Sequence, residues 1–540
     1  MQRPDPYAQV IYQVYPRSFM DSNGDGIGDL QGIIARLDHL ADLGVDALWL
    51  SPIQRSPDRD FGYDIADYCD VDPRYGTLAD FDALVAACRA RGMGVILDGV
   101  FNHTSDRHPW FQESRASRDN PKADWYLWRE QRNNWASTFG GSAWAWDAAR
   151  GQHYLHSFLE EQPDLNWRNP EVVAAVEEVL RFWLARGVAG FRLDVFNCYL
   201  KHPDLPSNPR TWNPAGLLYG YIGQRHVHDR DQPDLGAALT MLRRVVDEAP
   251  GRLLVGETLD EDRRYRKAAG YCGPGPDRLH LTFNFHLLRS RWSAPAFRKA
   301  ITAWAEAVGP EGLPTWVLSN HDFPRHATRW GGRWPDERAR LAAMLSLTLR
   351  GVPFLYYGEE IGMQEARLTR SQLQDPVGRR FWPFHRGRDG CRTPMQWDAG
   401  DHAGFSAASP WLPLHPDHTG RTVAAQEGDP CSVLSTYRDL IALRRRLPAL
   451  TRGRQLWGAP HPQVLSHGRA LAPEGPAEVE VLINMSPEPQ SLPPGRIARH
   501  VLYGTHRAPG EPFSLSGGTL APHEGLVLGD EASAALALKG

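Results

Sequence analysis

Hydrophobic and polar positions along this chain alternate between two periods. Short β-branched and apolar runs stand at residues 10–15, 47–50, 94–98, 190–194, 253–256, 281–285, 315–318 and 352–356. Between them lie longer segments with apolar residues three and four apart, the period of an amphipathic helix. GIIARLDHLADLG (32–44) and PEVVAAVEEVLRFWLARG (170–187) are clear examples. The second predicts Asn169 as N-cap, Pro170 at the first helical position and Gly187 as the stop. Strand–helix alternation predicts a parallel sheet. Eight such strands predict a closed α/β architecture, a (β/α)₈ TIM barrel.

A minimal barrel takes about 250 residues, and this chain has 540. The surplus falls in definite places. Residues 104–169, rich in Trp, Asn, Arg and Gly, form an inserted domain between the third strand and its helix. The barrel thus comprises 1–103 and 170–455, with a long Pro-, Asn- and His-rich loop at 198–233 and a further insertion at 361–412. Past residue 455 the texture changes to short alternating runs such as EVEVLINMS, separated by Pro and Gly. Residues 456–540 therefore read as a small antiparallel β domain.

Composition narrows the function by exclusion. A formal charge of −4 gives no global basic bias toward nucleic acid or anionic membrane. No apolar run reaches the 18 residues that a membrane span needs, and MQRPDPYAQVIYQ lacks the pattern of a signal peptide. Cysteines 69, 88, 198, 272, 391 and 431 are scattered without a CxxC, which fits a reduced cytoplasmic setting. Trp, Tyr and Phe are plentiful, as in proteins that stack on sugars, although core packing absorbs most of them.

The stretch DSNGDGIGDLQG (21–32) has oxygen side chains at Asp21, Asn23, Asp25 and Asp29, with Gly26 free for a sharp turn. It follows an EF-hand loop for nine positions and then departs from it, because Gly32 stands where the bidentate Glu belongs. A loop without that ligand, and with Pro16 spoiling an entering helix, is no calcium sensor. A structural metal clamp and a metal-free Asp/Asn turn both remain open.

Acidic residues recur just past the predicted strands: Asp98, Asp194, Glu257 and Asp322. In a barrel these ends share one mouth, so four carboxylates distant in sequence would meet. Retaining glycoside hydrolysis needs such a set, namely an ionised nucleophile and a protonated acid about 5–5.5 Å apart. Arg192, two residues before Asp194 on the same strand face, is placed to keep that carboxylate ionised.

These motifs resemble the α-amylase superfamily, glycoside hydrolase family 13, in its α-glucosidase and oligo-1,6-glucosidase branch. DGVFNH (98–103), GFRLDV (190–195), VGE (255–257) and VLSNHD (317–322) match its four central motifs in order. GVDALWLSP (44–52), QPDLN (162–166), GVPFLYYGEE (351–360), RTPMQWD (392–398) and AGFS (403–406) extend the match over nearly the whole chain. The resemblance implies Asp194 as nucleophile, Glu257 as general acid and base, and Asp322 as the group that grips sugar hydroxyls as the ring flattens. It implies that His103 and His321 hydrogen-bond the glucose in the −1 subsite, that Arg192 fixes Asp194, and that Tyr63 stacks beneath the sugar. Asp60 and Arg392 would hold the non-reducing end and close the pocket, giving exo action. Phe139, Phe158 and Gln162 resemble pocket-lining positions, for which plain packing is the alternative. The branch also implies one structural divalent cation, calcium with magnesium as the alternative, on Asp21, Asn23, Asp25, Asp29 and the Ile27 carbonyl. No organic cofactor is implied.

Val195, just after the nucleophile position, accompanies α-1,6 activity in this branch, whereas the 198–233 loop resembles enzymes of broader linkage tolerance. One contact near the leaving group discriminates by only about 1–3 kcal/mol, so the expectation is an α-glucosidase on small α-glucosides, maltose and isomaltose included. The rivals are a sucrose isomerase or glucosyltransferase working through the same ester, and a non-catalytic binding protein.

Overall fold

The computed structural model describes residues 9–217, 219–259, 265–492 and 498–537. The first eight residues of the N-terminal stretch lie outside them. Eight parallel strands form the central sheet: β1 (Ile11–Val14), β2 (Ala47–Leu50), β3 (Gly94–Gly99), β4 (Gly190–Leu193), β5 (Leu253–Gly256), β6 (Leu281–Thr282), β7 (Thr315–Val317) and β8 (Val352–Tyr356). The order around the sheet is β6-β5-β4-β3-β2-β1-β8-β7, which is a barrel lacking only a ladder between β6 and β7. There the Thr315 hydroxyl donates to the Thr282 carbonyl at 2.8 Å.

Strand periodicity carries the function. Residues of one parity, including Ile11, Ala47, Trp49, Ile96, Val255, Val317 and Phe354, pack together as the barrel's interior. The other parity, including Tyr12, Leu48, Leu50, Val95, Leu97, Leu193 and Leu254, joins the larger core beneath the surrounding helices. Following the inward parity to the strand ends reaches Gln13, Ser51, Asp98, Arg192, Asp194 and Glu257, all buried. The apolar plug thus gives way to polar groups at the C-terminal mouth.

The helix Pro170–Ala185 begins as expected, with the Asn169 side chain accepting from the Glu171 N–H. It ends before Gly187, whose φ of +92° is left-handed. Two expectations are corrected. The 32–44 segment is two helices, Leu30–Ala35 and Leu37–Leu43, broken at Arg36 (φ −109°, ψ 8°), whose guanidinium lies 4.4 Å over the Trp397 ring. The strand expected at 281–285 pairs only over Leu281–Thr282, because no ladder from β7 extends it.

Within 104–169 a three-stranded antiparallel sheet forms, in the order Trp128–Arg129, Gln152–Leu155, Trp144–Asp147. Near the C-terminus a six-stranded antiparallel sheet runs from Arg454–Trp457 to Gly525–Gly529. Arg469, fully buried on this sheet, ties it to the barrel by donating to the carbonyls of Thr348 and Gly453. No described helix is long and apolar enough to cross a membrane.

Candidate active site

A cavity of about 580 Å³ opens at the strands' C-terminal ends. Its walls include Asp60, Tyr63, His103, Phe139, Phe158, Asp194, Val195, Glu257, His321 and Asp322. Ten positions singled out from the sequence therefore meet in one place. The ladder sets their backbones: the Asp194 N–H donates to the Gly99 carbonyl at 3.1 Å, and the Glu257 N–H to the Leu193 carbonyl at 2.9 Å.

Beneath the cavity floor sits Arg192, 1% exposed. Its Nη1 donates to Asp98 Oδ1 at 2.6 Å and to Asp194 Oδ1 at 2.8 Å, and its Nη2 meets Glu257 Oε2. One positive charge thus serves three carboxylates. Burial pushes the Asp98 and Asp194 carboxyls up while Arg192 pulls them down, leaving Asp194 raised to about 6. Three anions around one cation in a dry site favour retention of a proton.

Asp322 is held differently. Burial opposes its charge, but the His321 ring, Arg388 and Arg392 together hold its carboxyl well below the usual range. His321 Nε2 lies 3.2 Å from Asp322 Oδ2, and Arg388 Nη1 and Arg392 Nη2 lie 3.2 and 3.1 Å from Oδ1. Burial pushes His103 and His321 down, toward the neutral form, against the pull of Asp194 and Asp322 respectively.

Asp60 and Arg392, expected to hold the non-reducing end, stand in different places. Asp60 pairs with Arg388, at 2.7 Å from Nη2, and that same nitrogen bonds Asp375 at 2.8 Å. Arg388 lines the cavity. Arg392 lies behind it, donating through Nε to the His321 carbonyl at 2.7 Å. The RTPMQWD motif drew the eye to its own arginine, four residues past the one that faces the space. Gln162 is also behind the wall: fully buried, it donates to Asp60 Oδ2 at 3.2 Å and to the Tyr63 carbonyl at 3.3 Å. Tyr63 stacks on His321, with centroids 5.3 Å apart and planes 4° from parallel, and its hydroxyl donates to Asp98 Oδ2 at 3.0 Å. Phe139 and Phe158 do both jobs foreseen for them. They line the space and pack edge-to-face at 5.5 Å.

Sequence reading missed three features. Arg388 is one. The apolar rim of Tyr219, Phe285, Phe323, Phe381 and Phe384 is another, and only an aromatic count hinted at it. The third is the backbone of Val195, at φ 36° and ψ 40°. A β-branched residue there is strained by about 1–3 kcal/mol, directly beside Asp194.

In the 21–32 loop, buried Asp21 accepts from the N–H groups of Asn23 (3.0 Å), Gly24 (2.8 Å) and Gly26 (2.8 Å), and from the Ser406 hydroxyl at 2.5 Å. Asn23 and Asp25 each accept from the N–H two residues on. Asp29 accepts from Ser22 and from the Gly32 N–H, capping the helix Leu30–Ala35. Among the described residues no three Asp, Glu, His or Cys side chains gather into a metal-sized cage. Asn23, the Ile27 carbonyl and the carboxylates offer only oxygen atoms, the donor chemistry that suits a hard cation.

Comparison with known proteins places this architecture. The family described as "Alpha amylase, catalytic domain" matches residues 13–453. The chain belongs to the α-amylase family. It is 48% identical over 493 residues to a protein of Rhizobium meliloti (strain 1021) named "Probable alpha-glucosidase", covering 89% of both chains. It is 38% identical over 536 residues to an oligo-1,6-glucosidase of Parageobacillus thermoglucosidasius, covering 92% of both. A crystal structure of an α-glucosyl transfer enzyme superposes with a TM-score of 0.90 at 43% identity, covering 97% of this chain and 99% of that one. This α-amylase-family chain is a glycoside hydrolase with glucosidase relatives.

The carboxyl of Asp194 gives a testable pH dependence. Protonation removes its charge, so any step that uses the Asp194 carboxylate weakens as pH falls through about 6. A plot of kcat/KM against pH should show an acid limb near that value. A profile flat down to about pH 4.5 contradicts the electrostatic assignment.

Proposed function

We propose that the chain is a retaining exo-α-glucosidase that releases α-glucose from the non-reducing end of short α-glucosides, maltose and isomaltose among them. The observation that carries this reading is the sharing of Arg192 by Asp194 and Glu257 at a cavity wall. Carboxyls held on the two ends of one guanidinium are close enough for nucleophile and acid to act on one glycosidic bond, the arrangement of a retaining enzyme. Asp194 attacks the anomeric carbon as Glu257 protonates the leaving oxygen, giving a β-glucosyl ester on Asp194. Glu257 then takes a proton from water as that water attacks, and α-glucose leaves. Asp322 binds ring hydroxyls, its low proton affinity keeping it anionic throughout.

The Arg388 link between Asp60 and Asp375 supports exo action, because it closes one end of the space against a longer chain. Val195 faces the leaving group's side and inclines the enzyme toward α-1,6 bonds without excluding α-1,4. A second reading, net transfer to a sugar or alcohol, draws on the apolar rim. Phe381, Phe384 and Tyr219 favour a carbon-bearing acceptor over water. Product analysis over time on maltose, isomaltose and sucrose separates the two. Glucose alone supports hydrolysis, and new oligosaccharides or sucrose isomers at early times support transfer. The acid role has its own test. Glu257→Gln should lower turnover of maltose by about 10²–10⁴, and much less for an aryl glucoside whose leaving group needs no proton. Equal losses on both contradict it.

We also propose that the 21–32 loop holds one structural divalent cation, calcium before magnesium, on the Asp21, Asn23, Asp25 and Asp29 side chains and the Ile27 carbonyl. Such an ion would brace the loop after β1 and supply no chemistry to the reaction. Metal analysis of the purified protein should find about one equivalent, and a chelator should lower Tm in the wild type but not in Asp21→Ala. Wild-type protein free of calcium and magnesium, with Tm indifferent to chelator, refutes the site.

A further inference from the structure

Two buried side-chain amides stand behind the two cavity histidines, and nothing above assigns them a role. Gln13, 1% exposed at the mouth end of β1, places Nε2 2.8 Å from His321 Nδ1 and 3.2 Å from the Ser51 hydroxyl. Asn102, fully buried, places Nδ2 3.2 Å from His103 Nδ1. Its orientation is not free. Lys201 Nζ, which can only donate, lies 2.9 Å from Asn102 Oδ1, so the other end of that amide is the NH₂. His103 then accepts at Nδ1 and carries its proton on Nε2, from which it donates to the Tyr63 carbonyl at 3.0 Å, and the Gln162 amide nitrogen packs 3.2 Å from the same atom.

His321 is forced the same way from its far side. Its Nε2 lies 3.2 Å from the Asp322 carboxylate, which is ionised, and 2.6 Å from the Tyr63 hydroxyl. An unprotonated Nε2 would aim a lone pair at that anion, so the neutral ring keeps its proton there. Nδ1 is left as a bare acceptor in a buried site and needs a donor, which the Gln13 NH₂ supplies. The donors then line up in one direction: Gln13 to His321, His321 to the Tyr63 hydroxyl, and Tyr63 to Asp98, which also receives Arg192. Tyr15, Arg392, Arg192 and Arg388 complete the charged and titratable surroundings of the His321 ring.

We propose that Gln13 is a positioning residue that, working with Asp322 on the far side of the ring, locks the tautomer of His321, holding it as a neutral Nε2–H donor to the Tyr63 hydroxyl and Asp322 at the cavity wall, as Asn102 does for His103. The role in turnover rests on the glucosidase reading, but the tautomer does not, and the two can fail separately. Glu at position 13 would offer only acceptors and demand a proton on Nδ1. Met would fill similar space and offer nothing.

The test is ¹⁵N NMR of histidine-labelled protein without substrate, with the His321 signals assigned by difference against His321→Gln, for the wild type, Gln13→Met and Gln13→Glu. The wild type should show a neutral ring protonated at Nε2. Gln13→Glu should move the proton to Nδ1 of His321, and Gln13→Met should populate that tautomer only in part, because Asp322 still favours Nε2–H there. With maltose, Gln13→Met should lose kcat on the order of 10²-fold, with KM changed much less. An Nδ1–H ring in the wild type overturns the proposal outright, whether or not a variant folds. So does a folded Gln13→Met that keeps the Nε2–H ring and wild-type kcat. Inactive wild-type protein with the Nε2–H ring would count against the glucosidase reading and leave the tautomer assignment standing.

Discussion

Everything at the mouth of this barrel is arranged around the buried guanidinium of Arg192. A cation in that position is tolerable only because Asp98, Asp194 and Glu257 surround it, and those carboxylates are tolerable only because of it. Removing one member of such a set costs about 3–5 kcal/mol, since it strands a charge away from water. Asp98 stands in the last pleat of β3, and Asp194 and Glu257 follow β4 and β5 directly, so parallel pairing brings all three to one arginine. The β4 residue itself supplies the cation, two positions before Asp194. Charge balance, strand register and chemistry are therefore one constraint. The proton that three anions cannot all give up is the proton that an acid catalyst needs.

A second set of charges gives the cavity its direction. Arg388 joins Asp60, Asp322 and Asp375 across segments far apart in sequence, and so fastens the loop after β8 to the loop after β2. The cavity wall thus combines this charged cluster with the aromatic side chains of Phe381, Phe384, Phe323 and Tyr219. On the glucosidase reading, the charged groups suit a glucose ring, and the aromatic groups make the choice between water and another acceptor a real one. Val195 lines the same space in a backbone conformation that β-branched residues avoid, which is the kind of strain that functional sites store.

Much of this was legible in the sequence, for a physical reason. Inward-facing strand positions recur every two residues, so a carboxylate just beyond an apolar strand can be assigned to the mouth without coordinates. Asp98, Asp194, Glu257 and Asp322 were found that way. The histidines and Tyr63 became visible only through motif resemblance. Gln13 obeyed the same parity rule and was overlooked because an amide carries no obvious chemistry. Arg388 could not be separated from Arg392 by sequence, since both lie in one irregular loop where no period tells which side chain faces in. The short pairing of β6 was hidden too, because a strand's length depends on its neighbour and not on its own residues.

The claim on which the rest turns is that Asp194, held by Arg192, is the atom donor to a covalent glucosyl ester. A fluorinated glucosyl fluoride that forms the ester quickly and releases it slowly, followed by peptide mass spectrometry, tests it most directly. The account predicts one fluoroglucosyl unit on the peptide carrying Asp194, and none when Asp194 is replaced by Ala. A label on Asp98, Glu257 or Asp322, or steady turnover of the natural substrate by the Asp194→Ala protein, would contradict it.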